Sequence, residues 1–557
     1  MTDETKKGPS RRAGGPGGEG VFEKRLGEIK ELDGRILELL ARRAALLGRE
    51  TAWRRSRGKP STDPGLEKQV WGAWEEASRL HGLDTKLLRQ LFGVVNFFGR
   101  GPMKTARKQS DPFGLAPRQM PVALDLPAPR SLDAARMWAL MAAASGRPLT
   151  LNQAVLNDPL VELVKALNQA GARLSWTDDG LEAAAGQAPL TFEDKLLFAG
   201  ETPFTFFALL AQALRGAGRC KFAGGPELKL MDVGPLNRVL PALGARLISL
   251  NPHAPGLPAR LECGGDMDGS VDLPDDLPAA FAVALALSAW AYPRGLVLRF
   301  RPGSPAAEDL PGAVAVLNAC GLSARLEGGR CTVPPGEPKL PARPELPPDP
   351  VLCAYLLAMP AFTGGRARLN GPWKAEAPLG GDLDRGLAAL GLTLALEDGA
   401  LVSTKGAPDG RPDVDFGRRA ELFPLALALG LASERPCRVA APADLDALGQ
   451  AAEMLERLGA SFEIENGAVL LTPGPLTWSD SYAAPGPYCI LALALIAWLR
   501  RGIAVDNPGE LTAVWPRFWN LYNALPTGRS AEPARTERTK DEPKKPRRIR
   551  VRGNSGA

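Results

Sequence analysis

The strongest constraint on this chain is that it repeats itself. From Leu126 onward one pattern recurs five times: an amphipathic helix ends at a glycine, an alternating strand follows, a turn reverses the chain and a second strand returns. The helix-closing glycines are Gly171, Gly244, Gly321, Gly391 and Gly459, separated by 73, 77, 70 and 68 residues. A left-handed residue ends a helix at least cost when it is glycine, and Asp179-Gly180, Asp398-Gly399 and Asn466-Gly467 carry the composition of tight hairpin turns. A period near seventy with several elements per unit is too long for the common solenoids. Each copy is therefore expected to be an α/β unit, a helix laid over a small sheet. Between the hairpins lie stretches that are apolar on every side, at 281–290, 351–359, 422–431 and 490–499. Helices of that kind belong inside a domain.

The first hundred residues have a different rhythm. After a Gly-rich leader at 1–20, Leu26, Ile29, Leu32, Ile36, Leu39, Leu40 and Leu47 fall on one stripe of a long helix. Ser61-Thr62-Asp63-Pro64 supplies an N-cap and a first-turn proline for a second helix reaching about Leu80, and Asp84 opens a third. Residues 21–103 thus read as a small all-α domain of three helices. Residues 104–121 read as a linker, 122–525 as the repeating body, and 526–557 as a disordered tail.

The 557 residues carry a net charge of +6. The tail alone holds ten basic and four acidic residues, so everything before it is neutral in sum. The basic character therefore gives the body no nucleic-acid signature, and nucleic acid is not the expected partner. Seven cysteines, scattered and without C-x-x-C spacing, stand beside only two histidines. Neither a zinc site nor a disulfide framework is expected, nor any metal or cofactor. The apolar runs fall short of the ~18 residues needed to span a bilayer, and a cytoplasmic location is expected.

The body resembles the enolpyruvyl transferases, specifically 5-enolpyruvylshikimate-3-phosphate (EPSP) synthase. The resemblance rests on the repeat together with local strings in matching order: Leu126-Pro127 with Arg130-Ser131, then Phe198-Ala199-Gly200, Gly380-Gly381-Asp382, and Trp515-Pro516-Arg517-Phe518. It implies a mixed α/β (α+β) fold, two globular domains each of three βαβαββ units, acting on shikimate 3-phosphate and phosphoenolpyruvate. The head resembles the all-helical chorismate mutases. Leu32-Asp33, Leu39-Leu40 and Arg43 match the motif of the family's first helix, and Asp63-Pro64 with Glu67 match that of its second. This second resemblance implies chorismate as substrate, a site built from Arg43, Arg54, Asp63 and Glu67, and a homodimer through the head.

For the body, the resemblance implies Arg130 and Ser131 as phosphate ligands and Glu421 and Asp444 as catalytic carboxylates. Several expected cations are absent at the aligned positions. Ala135 stands where an arginine is expected, with Arg136 one step away, and Glu227 in Gly224-Gly225-Pro226-Glu227 stands where another is. The serine pair and glutamine fall on Pro278, Ala279 and Ala280, a D-H-R string on Pro485-Gly486-Pro487, and a late lysine on Ala513. In the head, Leu26, Leu66 and Met103 replace polar ligands, and the four matching residues read equally well as solvated helix faces. Asp349, between two prolines, reads as a helix N-cap rather than an acid. Three readings stay open: a divergent transferase with a mutase-like head, a catalytically degenerate regulatory or scaffolding subunit of the same pathway, and a transferase for a less anionic acceptor.

Overall fold

The computed structural model describes parts of residues 25–95 and, apart from short stretches, residues 112–525. The leader and the tail lie outside the described residues, as do Arg54, Asp63 and Asp444 and the side chain of Glu67.

The body divides into two units, which the chain enters in an unusual order. Residues 114–131 and those from 347 onward form one unit, and residues 132–346 form the core of the other. The first strand of the body, Val122–Pro127, pairs in parallel with Gly365–Asn370, far away in sequence. Where the chain leaves and re-enters this unit its two segments bind each other: the Ser131 amide donates to the Pro347 carbonyl (2.8 Å) and the Asp349 amide to that of Pro129 (2.7 Å).

Six copies of the repeat are present, three in each unit. Each full sheet runs parallel edge strand, inner strand, then the two strands of a hairpin. One unit holds Leu196–Phe198 with Gly218–Ala223, Ala259–Cys263 and Ala245–Ser249, and Ser270–Asp272 with Leu296–Arg299, Arg330–Val333 and Arg325–Glu327. Its remaining sheet, Leu149–Asn152, Gly180–Ala183 and Leu174–Thr177, has no parallel edge strand. The other unit holds the sheet of Val122–Pro127 and that of Asp413–Val414, Cys437–Ala440, Ala468–Thr472 and Ser461–Glu465. Its third copy is cut down to Ala504–Val505 paired with Phe113–Gly114. Among the described residues that copy has no hairpin, which is why five hairpin units are visible in the sequence. The expected linker at 104–121 is correspondingly shorter at its far end, since Leu115 is buried and donates to the Ile503 carbonyl.

Under the sheets lie the apolar helices: Leu132–Ser145, Pro203–Ala213 and Ala279–Ala289 in one unit, and Pro350–Leu357, Phe423–Ala432 and Pro487–Ile496 in the other. Four of them begin with proline at the first or second position, where the missing N–H would have had no helical partner anyway. Several of their polar groups are paired locally, whereas Thr205 Oγ1 is buried without a hydrogen-bond partner. At the C-terminal ends in the first unit, the Gln212 amide donates to Ser288 Oγ (2.7 Å), and the Tyr292 hydroxyl to the Ala211 carbonyl (2.7 Å). There Arg215 donates to the Ala144 carbonyl (2.9 Å) and lies over Trp290. A cation among carbonyl ends opposes their summed dipoles.

All five closing glycines have positive φ, between 57° and 113°. Asp398-Gly399 and Asn466-Gly467 are left-handed at both positions, as a tight hairpin turn demands. The turn expected at Asp179-Gly180 is displaced by one residue: Gly180 pairs with Thr177 inside the ladder, and Asp178-Asp179 make the bend. Gly328-Gly329, with φ of 55° and 78°, form a left-handed pair that the sequence reading passed over.

One ion pair recurs across the copies. On the solvent face, an aspartate of the parallel edge strand meets an arginine of the inner strand: Asp272 with Arg299 (2.6 Å), Asp413 with Arg438 (2.8 Å), and, more loosely, Asp125 with Arg368 (3.9 Å). In each case the two are direct partners in the strand register. Asp194 and Arg219 (2.7 Å) repeat the pairing just ahead of Leu196–Phe198. Each exposed pair adds at most about 1 kcal/mol. Because a one-residue slip turns every side chain to the other face, such a pair serves mainly to fix register.

Candidate active site

The positions singled out by sequence lie mostly at the starts of the buried helices. Pro129-Arg130-Ser131 forms the segment that leaves the unit of Val122–Pro127, and Arg130 bridges to Pro348 in an antiparallel pair. Next to it, Asp349 caps the helix Pro350–Leu357, accepting from the Val351 and Leu352 amides at 3.1 and 3.0 Å. It is a structural cap, as its flanking prolines suggest. Burial pushes the Cys353 thiol well up, Asp349 adds to the effect and Arg130 offsets it, so both charges face the same helix start.

Glu421 sits in a single 3-10 turn, Ala420–Leu422, that leads into Phe423–Ala432. Its side chain is exposed. The hydroxyl of buried Tyr355 lies 3.0 Å from the Glu421 carbonyl and 3.1 Å from that of Tyr488, so one phenol ties its own helix to the beginnings of two others. Tyr355 and Tyr488 are also stacked, 6.2 Å apart. Burial drives the Tyr355 phenol far up, with Glu421 among the charges that add to it, so this phenol stays protonated. Neither tyrosine was found by sequence reasoning, because each lies within an apolar run that reads as core. In the same unit Gly380-Gly381-Asp382 opens Gly381–Ala389, where Asp382 pairs with Arg385 and not with an open site.

In the other unit the corresponding helix starts are occupied by carboxylates of the chain. The Oε2 of Glu162, from Asp158–Gln169, accepts from the Glu201 amide (3.0 Å), the Thr202 amide (3.2 Å) and Thr202 Oγ1 (2.7 Å), directly ahead of Pro203–Ala213. Gly200, with φ of 71°, makes room: a Cβ there would lie 2.5 Å from the Glu162 carboxyl carbon. Glu201 in turn accepts from the Glu227 amide (3.1 Å), and a Cβ on Gly225 would lie 1.8 Å from the Glu201 carboxylate. Arg136 pairs with Asp133 and lies over the Phe204 ring, 5.1 Å from its centroid. The loops at Phe198-Ala199-Gly200 and Gly224-Gly225-Pro226-Glu227 therefore bind glutamates of this same chain.

In the head, the described residues of the first helix fall between 25 and 47, and the second runs Pro64–His81. Arg43 is half-buried, donates to the Val95 carbonyl (3.2 Å), and lies within 6 Å of the Trp74 and Phe92 rings. Trp71 and Trp74 both meet Phe92 edge-on. Within one chain its guanidinium thus serves packing. Across the body, burial raises the thiols, Cys220 and Cys489 to about 12, which leaves them poor nucleophiles. Among the described residues no group of three or more His, Cys, Asp or Glu is arranged to hold a metal, and no helix is long and apolar enough to cross a membrane.

Residues 26–95 match the family model of chorismate mutase type II. The body is similar to 3-phosphoshikimate 1-carboxyvinyltransferases. That of Bordetella parapertussis is 25% identical over 444 residues, covering 72% of this chain and 98% of the relative. That of Mycobacterium ulcerans is 25% identical over 434 residues, covering 75% and 98%. Solved EPSP synthase from Acinetobacter baumannii superposes with a TM-score of 0.61 at 15% identity, covering 74% of this chain and 97% of that one. The chain joins a chorismate mutase-like head to a body similar to the EPSP synthases. The expected mixed α/β body after a helical head is what the structure contains, and the family accounts for the paired units of three copies.

Proposed function

We propose that this chain works in the shikimate pathway, its body transferring the enolpyruvyl group of phosphoenolpyruvate to shikimate 3-phosphate and its head acting on chorismate. The supporting observation is that the fold is kept over nearly the full length of the relatives, with Arg130 and Ser131 beside one buried helix start and the Glu421 carboxylate exposed at another. Glu421 would move protons between the acceptor hydroxyl and the methylene carbon, with Asp444 as the second carboxylate. Arg130 and Ser131 would hold phosphate oxygens. The head would hold chorismate electrostatically through Arg43, Arg54, Asp63 and Glu67, in a rearrangement that needs no covalent step. Homodimerisation fits the exposure of Ile29, Leu32, Ile36, Leu39 and Leu46, a heptad-spaced stripe left open to solvent.

A second reading is favoured by the carboxylates of Glu162 and Glu201. A charge-assisted hydrogen bond contributes about 1.5–3 kcal/mol, so losing several ligand cations weakens dianion binding by orders of magnitude. In this reading the body is a regulatory or scaffolding subunit of the pathway. Phosphate release from shikimate 3-phosphate plus phosphoenolpyruvate decides between the two. Turnover lost in Glu421→Ala supports the transferase; absence of turnover at high protein concentration, with the fold intact by circular dichroism, supports the second reading. Chorismate consumption, lost in Arg43→Ala, is the matching assay for the head.

A further inference from the structure

The sheet built on Gly218–Ala223 differs from its repeats on the solvent side. Its outward residues form rows across four strands. The first row is a charge ladder: Asp194 pairs with Arg219, which lies opposite Glu262, which binds both Arg246 (2.6 Å) and Arg260 (2.8 Å). In the second row Leu196 lies opposite Lys221, Lys221 opposite Arg260, and Arg260 opposite Ile248. In the third, Phe198 lies opposite Ala223 at one rim, and Leu250 follows Ala245–Ser249 at the other. Leu196, Phe198 and Leu250 are 64%, 51% and 41% exposed. Lys221 is exposed and forms no ion pair or side-chain hydrogen bond among the described residues.

The equivalent sheet of the next copy is an internal control. It carries the same kind of ladder, Asp272, Arg299, Arg330 and Glu327, but its second row is Ser270, Val297, Thr332 and Arg325, with no large exposed apolar side chain. The ladder is thus part of the repeat, whereas the cations between apolar rims are particular to one sheet. Singly exposed leucines need no explanation, but exposed apolar groups collected around Lys221, a cation that no carboxylate neutralises among the described residues, have the composition of an interface.

We propose that this face docks an acidic segment of a partner protein, whose carboxylates meet Lys221 and Arg260 and whose apolar side chains cover Leu196, Phe198 and Leu250. Charge sets the partner's sign, since Lys221 has no carboxylate partner among the described residues, while Arg219, Arg246 and Arg260 share Asp194, Glu262 and the nearby Glu193. A single exposed aromatic and two carboxylates disfavour a strand of nucleic acid, which binds through stacked rings and a cationic track. The docking is separate from catalysis and does not depend on whether the body turns over substrate.

The test uses the full chain and a fluorescent sixteen-residue amphipathic peptide with glutamate on its polar side and leucine on its apolar side. A lysine-for-glutamate version, an oligouridylate and phosphatidylserine vesicles serve as competitors. The expected result is anisotropy-detected binding of the acidic peptide that weakens with salt, falls about tenfold in Lys221→Glu and in Leu196→Ser, and is unchanged in Arg325→Glu on the neighbouring sheet. Phe198→Ser replaces Leu196→Ser if the latter melts early. Absence of acidic-peptide binding, equal binding by Lys221→Glu, or preferential and equally sensitive binding of RNA or vesicles overturns the proposal.

Discussion

Single residues decide what this chain has given up and what holds it together. Arg215 donates to the Ala144 carbonyl and to Gln212 Oε1 (3.0 Å), and burial lowers its pKa. Its guanidinium remains charged because an arginine starts so far above neutrality. Arg215→Ala should cost about 1.5–3 kcal/mol in urea unfolding, by loss of charge-assisted bonds at two helix ends and of the contact with the Trp290 ring at a third. Glu162→Ala should cost about 1–3 kcal/mol, because it leaves the Glu201 and Thr202 amides without their acceptor. At this scale the sequence was a partial guide. It located the Asp349 cap, yet gave no sign that Glu162 reaches the loop at Gly200, since the two lie some forty residues apart and only the fold joins them. Arg43 shows the opposite difficulty: its spacing matched a ligand, while its surroundings, two aromatic rings and a carbonyl, became visible only in three dimensions.

Among elements, the glycine-ended helices were the most legible part, because an αL residue after an amphipathic stripe is a local signal needing no tertiary context. The consequences of replacing these glycines nevertheless differ. At Gly321 a Cβ meets nothing within 4 Å, so Gly321→Ala should cost about 1 kcal/mol from backbone conformation alone. At Gly244 the same Cβ would lie 1.6 Å from the Asp266 carbonyl oxygen, and Gly244→Ala should cost clearly more, read as a larger drop in the denaturant midpoint. Tertiary contacts account for elements the sequence hid. Asn168 and Asn318, each three residues before a closing glycine, exchange two hydrogen bonds with the backbone of the following strand, at Leu174 and Ala324. Leu132–Ser145 was not singled out as a buried helix, because Asp133 and Arg136 give its first turn the look of a surface.

For the whole molecule, two ion-paired carboxylates on the solvent faces of the sheets, Asp272 and Glu262, predict acid sensitivity. Arg299 holds Asp272, and Arg246 holds Glu262, below the usual carboxylate range. A carboxylate with a depressed pKa contributes fully above its unfolded value, about 4, and loses that contribution as pH falls through the folded one. Urea midpoints should therefore decline below about pH 4, and Asp272→Asn should flatten part of the decline. Two-unit architecture was legible from the period of the repeat and from resemblance. The sixth copy was not, because the hairpin that announces each of the others is missing from it.

The route of the chain also sets a timetable. Val122 bonds to Thr363, 241 residues later, whereas residues 132–346 contain everything their own unit's three sheets require. At about 5–20 residues per second, the strand Val122–Pro127 leaves the ribosome on the order of 10–50 s before its sheet partner exists. The unit encoded in the middle is complete first, and the one encoded at both ends must wait with an unpaired edge. A ribosome-stalled chain ending near residue 346 should be cut by protease between 113 and 131 and resist it between 132 and 320. In a full-length chain the earlier segment should be protected as well.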